Sequence, residues 1–149
     1  MKLSEHLDLS EIIRSDSAKR NGISNMPTPE HIENFKILAT KVFEPIREHF
    51  GVPIHISSGY RSVELNRLIK GSSSSEHCKG QAIDIDMDGT TITNKQVFDY
   101  IKDNLTFDQL INEFNYAWVH VSYKANGKQR GEILEAYKEG KATKYRLYK

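Results

Sequence analysis

A single cysteine, Cys78, stands in 149 residues. That excludes an internal disulfide framework, so packing, with or without a bound ion, has to hold the fold. Long apolar runs are missing too: no stretch of about 18 residues could span a bilayer, and membrane insertion is not expected. The opening M-K-L-S-E-H-L-D-L-S-E is too polar for a secretory leader, which sets the expectation of cytoplasmic synthesis. No internal repeat is visible. A large charge of either sign is also absent, since the formal net charge is +1. The charge is unevenly spread, however. From Lys124 to Lys149 there are eight Lys/Arg against three Asp/Glu, and the remainder has thirteen against seventeen. This basic tail could dock an anionic polymer, but a solvated terminal hairpin at about 124–149 is the plainer reading, and no nucleic-acid partner is expected. What is present is ordinary for one soluble domain, residues 1–149: 38% hydrophobic and 28% charged. A monomer is expected.

Hydrophobic spacing gives the elements. Asp8 and Glu11 form a capping-box pattern before Leu9, Ile12 and Ile13, predicting a short helix over 8–18; the following S-D-S-A-K-R-N-G-I-S-N-M-P reads as loop. Thr28-Pro29-Glu30 is a helix start. Ile32, Phe35, Leu38, Val42, Phe43, Ile46 and Phe50 follow at helical spacing until Gly51, with Pro45 inside, where a kink or break is expected. Residues 53–57 read as a strand. Ser62 starts a short helix with Leu65, Leu68 and Ile69 inward, and Thr93 starts another with Val97, Phe98 and Ile101 inward. Two β-rich runs flank Asn115–Tyr116 as a hairpin, and the C-terminus folds into a second hairpin around Gly140. The mixture predicts an α+β fold: a central antiparallel sheet with helices packed to one side.

The most informative stretch is Ser75 to Asp84, S-E-H-C-K-G-Q-A-I-D. After Gly80 the residues alternate. Ile83, Ile85 and Met87 take one face, and Ala82, Asp84 and Asp86 take the other, so Asp84 points away from the apolar side. A carboxylate on a sheet must be paired or bound to a metal, because burying it alone is costly. His77 lies seven residues before Asp84, and Gly80 allows the loop to turn back toward the strand. Imidazole and carboxylate together suit zinc. A third ligand type lies on the later hairpin, where Trp118, His120 and Ser122 share one face. His55 points away from its strand's core side and reads as a hydrogen-bonded or exposed histidine. Cys78 alternates away from His77 and reads as a small buried residue.

The pattern S-x-H-x-x-G-x-A-x-D followed by W-x-H resembles the zinc D-alanyl-D-alanine carboxypeptidase family of metallopeptidases, above all its short single-domain phage and bacterial members. The same metal site recurs in the Hedgehog signalling domain. The resemblance implies one zinc per chain, held by His77, Asp84 and His120. It also implies a substrate-binding arginine at Arg61, within S-S-G-Y-R-S, and a substrate-contacting serine at Ser75. Three protein ligands leave a fourth position open, as in catalytic zinc sites. The general base is then Glu113, which lies across the hairpin turn from His120. The family's glutamate often stands three residues before its last histidine, where this chain has Ala117. Asp108 and Gln109 therefore stay open as alternatives. Trp118 either walls the pocket or fills the core. The activity implied is hydrolysis of peptidoglycan stem peptides at or near D-amino acids, by a D,D-carboxypeptidase or an endolysin-type endopeptidase. It would act on the wall after holin-dependent release or as part of a virion. The alternative is a non-catalytic, metal-stabilised binding or virion module on the same fold.

Overall fold

The computed structural model describes residues 1–149. Fourteen elements follow in chain order. First come α1 (Leu9–Ile13), α2 (Asp16–Arg20), α3 (Pro29–Leu38), a π-helical turn (Ala39–Phe43) and α4 (Glu44–Phe50). Next are β1 (Ile56–Ser58), α5 (Val63–Leu68), a 3-10 turn (Glu76–Lys79), β2 (Ala82–Ile85) and α6 (Asn94–Asn104). The chain ends with β3 (Gln109–Glu113), β4 (Trp118–Ser122), β5 (Glu132–Glu139) and β6 (Ala142–Leu147). The six strands form one sheet in the order β1-β2-β4-β3-β5-β6. The fold is α+β, as the patterning predicts.

Alternation in the strands decides which face meets the helices. Ile83 and Ile85 of β2, Leu110 of β3, and Val119 and Val121 of β4 are all completely buried on one face. Against them pack Phe35 and Leu38 of α3, Val42 and Phe43 of the π-helical turn, Ile46 of α4, and Val97, Phe98 and Ile101 of α6. Burying a side chain of this size contributes about 1.5–3 kcal/mol, so this layer holds most of the molecule's apolar stabilisation. The opposite face of the sheet carries Asp84, His120 and Glu113 and floors a cleft.

Four local expectations are corrected. The helix over 8–18 is two helices, because Ser15 caps a new start by accepting from the Ala18 N–H, and the D-S-A-K-R stretch read as loop is helical. Pro45 does not break its helix: the Glu44 N–H reaches back to the Ala39 carbonyl, and the extra residue in that turn absorbs the bond that proline cannot make. Leu68 and Ile69 are exposed rather than inward; Ile69 lies on the cleft rim. The strand expected over 53–57 is β1, Ile56–Ser58.

One sheet pairing differs in direction from the rest. β5 runs parallel to β3, with Leu110 beside Ile133 and Glu113 beside Ala136, while the other pairs are antiparallel. The connection at 123–131 brings the chain back to the start of β3. The Asp108 carboxylate, completely buried, takes hydrogen bonds from the Arg130 side chain at 2.8–3.3 Å and from the Arg130 N–H at 3.1 Å. The basic tail is therefore two strands of the central sheet.

Candidate active site

The open face of the sheet is a grid of side chains. One row runs Asp84, His120, Ile111, Leu134, Leu147 from β2 to β6; the next runs Trp118, Glu113, Ala136, Tyr145 from β4 to β6. Above this floor stands the loop from Ile69 to His77, and between them lies a cleft of about 1000 Å³. All six sequence-predicted site residues line it: Arg61, Ser75, His77, Asp84, Glu113 and His120.

His77 is placed by its backbone. Ser75 caps the 3-10 turn by accepting from the His77 N–H, and Gly80 ends it with φ +75°. Gly80 also lies so close to α3 that an added Cβ would sit 2.4 Å from the His31 carbonyl oxygen. Two independent constraints thus require glycine three residues after the histidine. His77 is almost completely buried, and its Nδ1 lies 2.7 Å from the Gly59 carbonyl oxygen. A carbonyl can only accept, so Nδ1 carries the proton and, in the neutral ring, Nε2 presents a bare lone pair. Gly59 is held close to α1, since a Cβ there would fall 2.6 Å from the Ile12 carbonyl oxygen.

The His77 Nε2 is buried and makes no hydrogen bond, although the Asp84 Oδ1 is only 3.2 Å away. At that distance a protonated His77 pairs with the carboxylate, whereas the neutral ring turns a bare lone pair toward it. The His120 Nδ1 lies 3.0 Å from the same Asp84 oxygen. These three atoms all lie within 4.8 Å of one another and could hold a metal ion. An orphaned buried nitrogen beside a carboxylate and a second imidazole is the donor set that zinc takes. Burial alone would raise the Asp84 carboxyl's pKa, but the two histidines outweigh it and hold the group well below the usual carboxylate range. It is thereby kept in the ionised form that a cation requires.

Glu113 lies one row away on the same floor and is 8% exposed. Burial pushes its carboxyl up to about 7; His120 and Arg61 pull it down, and the charge on Asp84 pushes it further up. A carboxyl near neutrality can take a proton and give it back. The turn that brings Glu113 opposite Trp118 is unusual. Phe114, Asn115 and Tyr116 have φ of +53°, +55° and +65°, and aromatic side chains rarely adopt that conformation. Phe114 is held against the Trp118 ring and Tyr116 against Phe98, with centroids 5.4 and 5.5 Å apart. The Asn112 carboxamide accepts from the Tyr116 N–H.

Arg61 reaches the cleft from the opposite wall. One guanidinium nitrogen donates to the Ser75 Oγ at 3.3 Å, while its buried Nε has no partner. It also borders a second hollow of about 270 Å³ beside Arg14. Ser75 therefore braces both Arg61 and His77. Of the alternatives for a base, Asp108 is committed to Arg130, and Gln109 donates to Glu132 at 2.7 Å. His55, just before β1, is exposed and lies 3.2 Å from the Asp86 carbonyl oxygen, the exposed or hydrogen-bonded histidine expected from sequence. Cys78 is partly buried and stands outside the His77, Asp84 and His120 group. Trp118 lines the cleft.

Sequence reasoning missed Ile111, Leu134, Thr143 and Tyr145, which also line the cleft. Alternation in the last hairpin puts Thr143, Tyr145 and Leu147 on one face, but nothing local says which strand that hairpin joins. Compared with known proteins, residues 5–122 match the family model Peptidase M15. No curated protein matches the chain.

Proposed function

We propose that this chain, which belongs to the peptidase M15 family of zinc metallopeptidases, hydrolyses peptidoglycan stem peptides at or near a D-amino acid. The observation that carries the reading is the bare, buried His77 Nε2 converging with Asp84 and His120 in a cleft that also holds Glu113 and Arg61. No helix is long and apolar enough to cross a membrane.

His77, Asp84 and His120 would hold the zinc, through Nε2, Oδ1 and Nδ1. Bound there, zinc supplies a Lewis acid for the scissile carbonyl and acidifies water. Glu113, on the cleft floor beside His120, takes the proton from the attacking water and hands it to the leaving amine nitrogen. Arg61 has no carboxylate partner in the chain, so its planar fork is available to a substrate carboxylate or carbonyl oxygen. Ser75 keeps that fork facing the cleft. Trp118 and Ile111 present apolar surface to the cleft on the sheet side. In a cleft of about 1000 Å³, Arg61 could serve terminal trimming or internal cleavage alike.

Mass spectrometry of purified muropeptides incubated with the zinc-loaded protein tests the reading. One new amine and one new carboxyl terminus should appear at a single bond, and both should vanish after chelation. A zinc-loaded protein that leaves every muropeptide intact would instead favour a metal-stabilised binding module.

A further inference from the structure

The six site residues expected from the sequence all fall within the family-matched residues 5–122, but the cleft does not end there. Its far side is built by β5 and β6, and Tyr145 of β6 lines it together with Glu113, His120 and Arg61. Glu113 pairs with Ala136, and Ala136 pairs with Tyr145, so the three share one row and one face. Adjacent strands lie about 4.8 Å apart, which sets the Glu113 and Tyr145 backbones about 10 Å apart. Only the methyl of Ala136, itself buried, stands between them. A larger residue at that position would fill the gap; alanine leaves it to the phenol.

We propose that the Tyr145 hydroxyl is a catalytic group, donating a hydrogen bond to the scissile carbonyl oxygen as negative charge develops on it. The inference rests on the peptidase reading above. A phenol suits this task because it is neutral, donates one directional hydrogen bond and gains strength as its acceptor becomes anionic. Tyr145 is 53% exposed, so a substrate lying in the cleft can reach it. Burial and the charges of Glu113 and Asp84 push its pKa above the ordinary phenol value, so the group stays a donor at neutral pH. Arg61, on the loop wall, is a second donor lining the same cleft. Tyr145 on the floor and Arg61 on the wall together make a two-sided clamp. Carrying one half of that clamp on the C-terminal hairpin also gives the hairpin a place in the chemistry.

The test compares zinc-loaded wild type with Tyr145→Phe, which removes only the hydroxyl. The expected result is a kcat lowered about 10²-fold, the scale for loss of one oxyanion donor. KM should stay within about twofold, and zinc content and unfolding midpoint should match wild type. A second readout does not depend on turnover: calorimetric affinity for a phosphinate analogue of the D-alanyl-D-alanine dipeptide should fall about tenfold or more in the Phe variant. Affinity for the product peptide should not change. Wild-type kcat or an unchanged phosphinate affinity in Tyr145→Phe overturns the inference, as does an effect confined to KM. Failure of wild type to cut any muropeptide overturns the peptidase reading instead, and the phosphinate comparison still decides whether Tyr145 contacts a tetrahedral oxyanion.

Discussion

His120 and Glu113 are diagonal neighbours on one sheet face, yet they answer to different demands. His120 supplies a nitrogen to a shared ion site, while Glu113 supplies a carboxyl near neutrality. Substitution should separate the two. His120→Ala should lose stoichiometric zinc and activity together. Glu113→Gln should bind zinc as wild type does and lose about 10²–10⁴-fold in kcat. Metal analysis beside a turnover assay reads both, and a Gln variant with near-normal turnover would move the base elsewhere. Glu113 also fixes a pH dependence in the metal-free protein. Its folded pKa is about 7, above the ordinary carboxyl value, so the folded state holds the extra proton between the two. Stability contributed by the neutral carboxyl is complete below the unfolded value near 4.3, falls as pH rises, and is gone above about 7. Urea unfolding at pH 5 and pH 8 should show this loss, and Glu113→Gln should flatten that part of the profile.

Two connections carry the elements into place. The first is the 3-10 turn before β2, where Gly80 combines φ +75° with backbone contact to α3. Gly80→Ala has to move α3 or the turn, so a loss of about 1–3 kcal/mol in stability is expected. Zinc affinity should weaken with it, because His77 rides on the same turn; unchanged zinc affinity would show that His77 is positioned independently. The second is the Asp108–Arg130 pair, which pins the start of β5 beside β3. Burial would raise the Asp108 carboxyl's pKa, but the Arg130 hydrogen bonds outweigh it and hold the group below its usual value. Its contribution is therefore present above the unfolded carboxyl value and lost as pH falls through the lower folded one. Asp108→Asn should cost about 1–3 kcal/mol at neutral pH and remove that part of the acid-induced loss, as measured by denaturant midpoints at pH 7 and pH 3.

One apolar layer, formed by α3, α4 and α6 on the sheet, stabilises the fold, while the other sheet face carries Asp84, His120 and Glu113 among apolar residues on the cleft floor. That division leaves the buried His77 Nε2 without a hydrogen bond beside the Asp84 carboxylate in the metal-free chain. A cation should then stabilise the folded state by mass action. At free zinc about 1,000-fold above its dissociation constant the gain is about 4 kcal/mol. For a chain of this length that corresponds to roughly 8–16 °C in Tm. Thermal unfolding with zinc and with a chelator checks this; coincident curves would mean that the three residues do not bind the ion.

Much of this arrangement was legible in short stretches of sequence. The caps at Asp8, Thr28, Ser62 and Thr93 are where the patterns place them, because a cap depends on three or four adjacent residues. The faces of the ligand strands were legible for the same reason, since period-2 alternation puts Asp84 opposite Ile83 and His120 opposite Val119, but their meeting depends on the long-range pairing of β2 with β4, which only the family resemblance implied. Glu113 could be nominated, but its elevated pKa could not be read, because desolvation is the work of β5 and the loop wall rather than of the residues beside it. Asp108 and Gln109 could not be set aside from sequence, since their partners Arg130 and Glu132 lie more than twenty residues on. The parallel pairing of β5 with β3 was hidden too. Alternation gives a strand its faces but carries no information on direction or neighbour. Tyr145 thus stayed an anonymous tail residue until that long-range pairing placed it in the row of Glu113. Local chemistry wrote the ligands and the caps; non-local strand pairing and burial set the cleft and the protonation of its base.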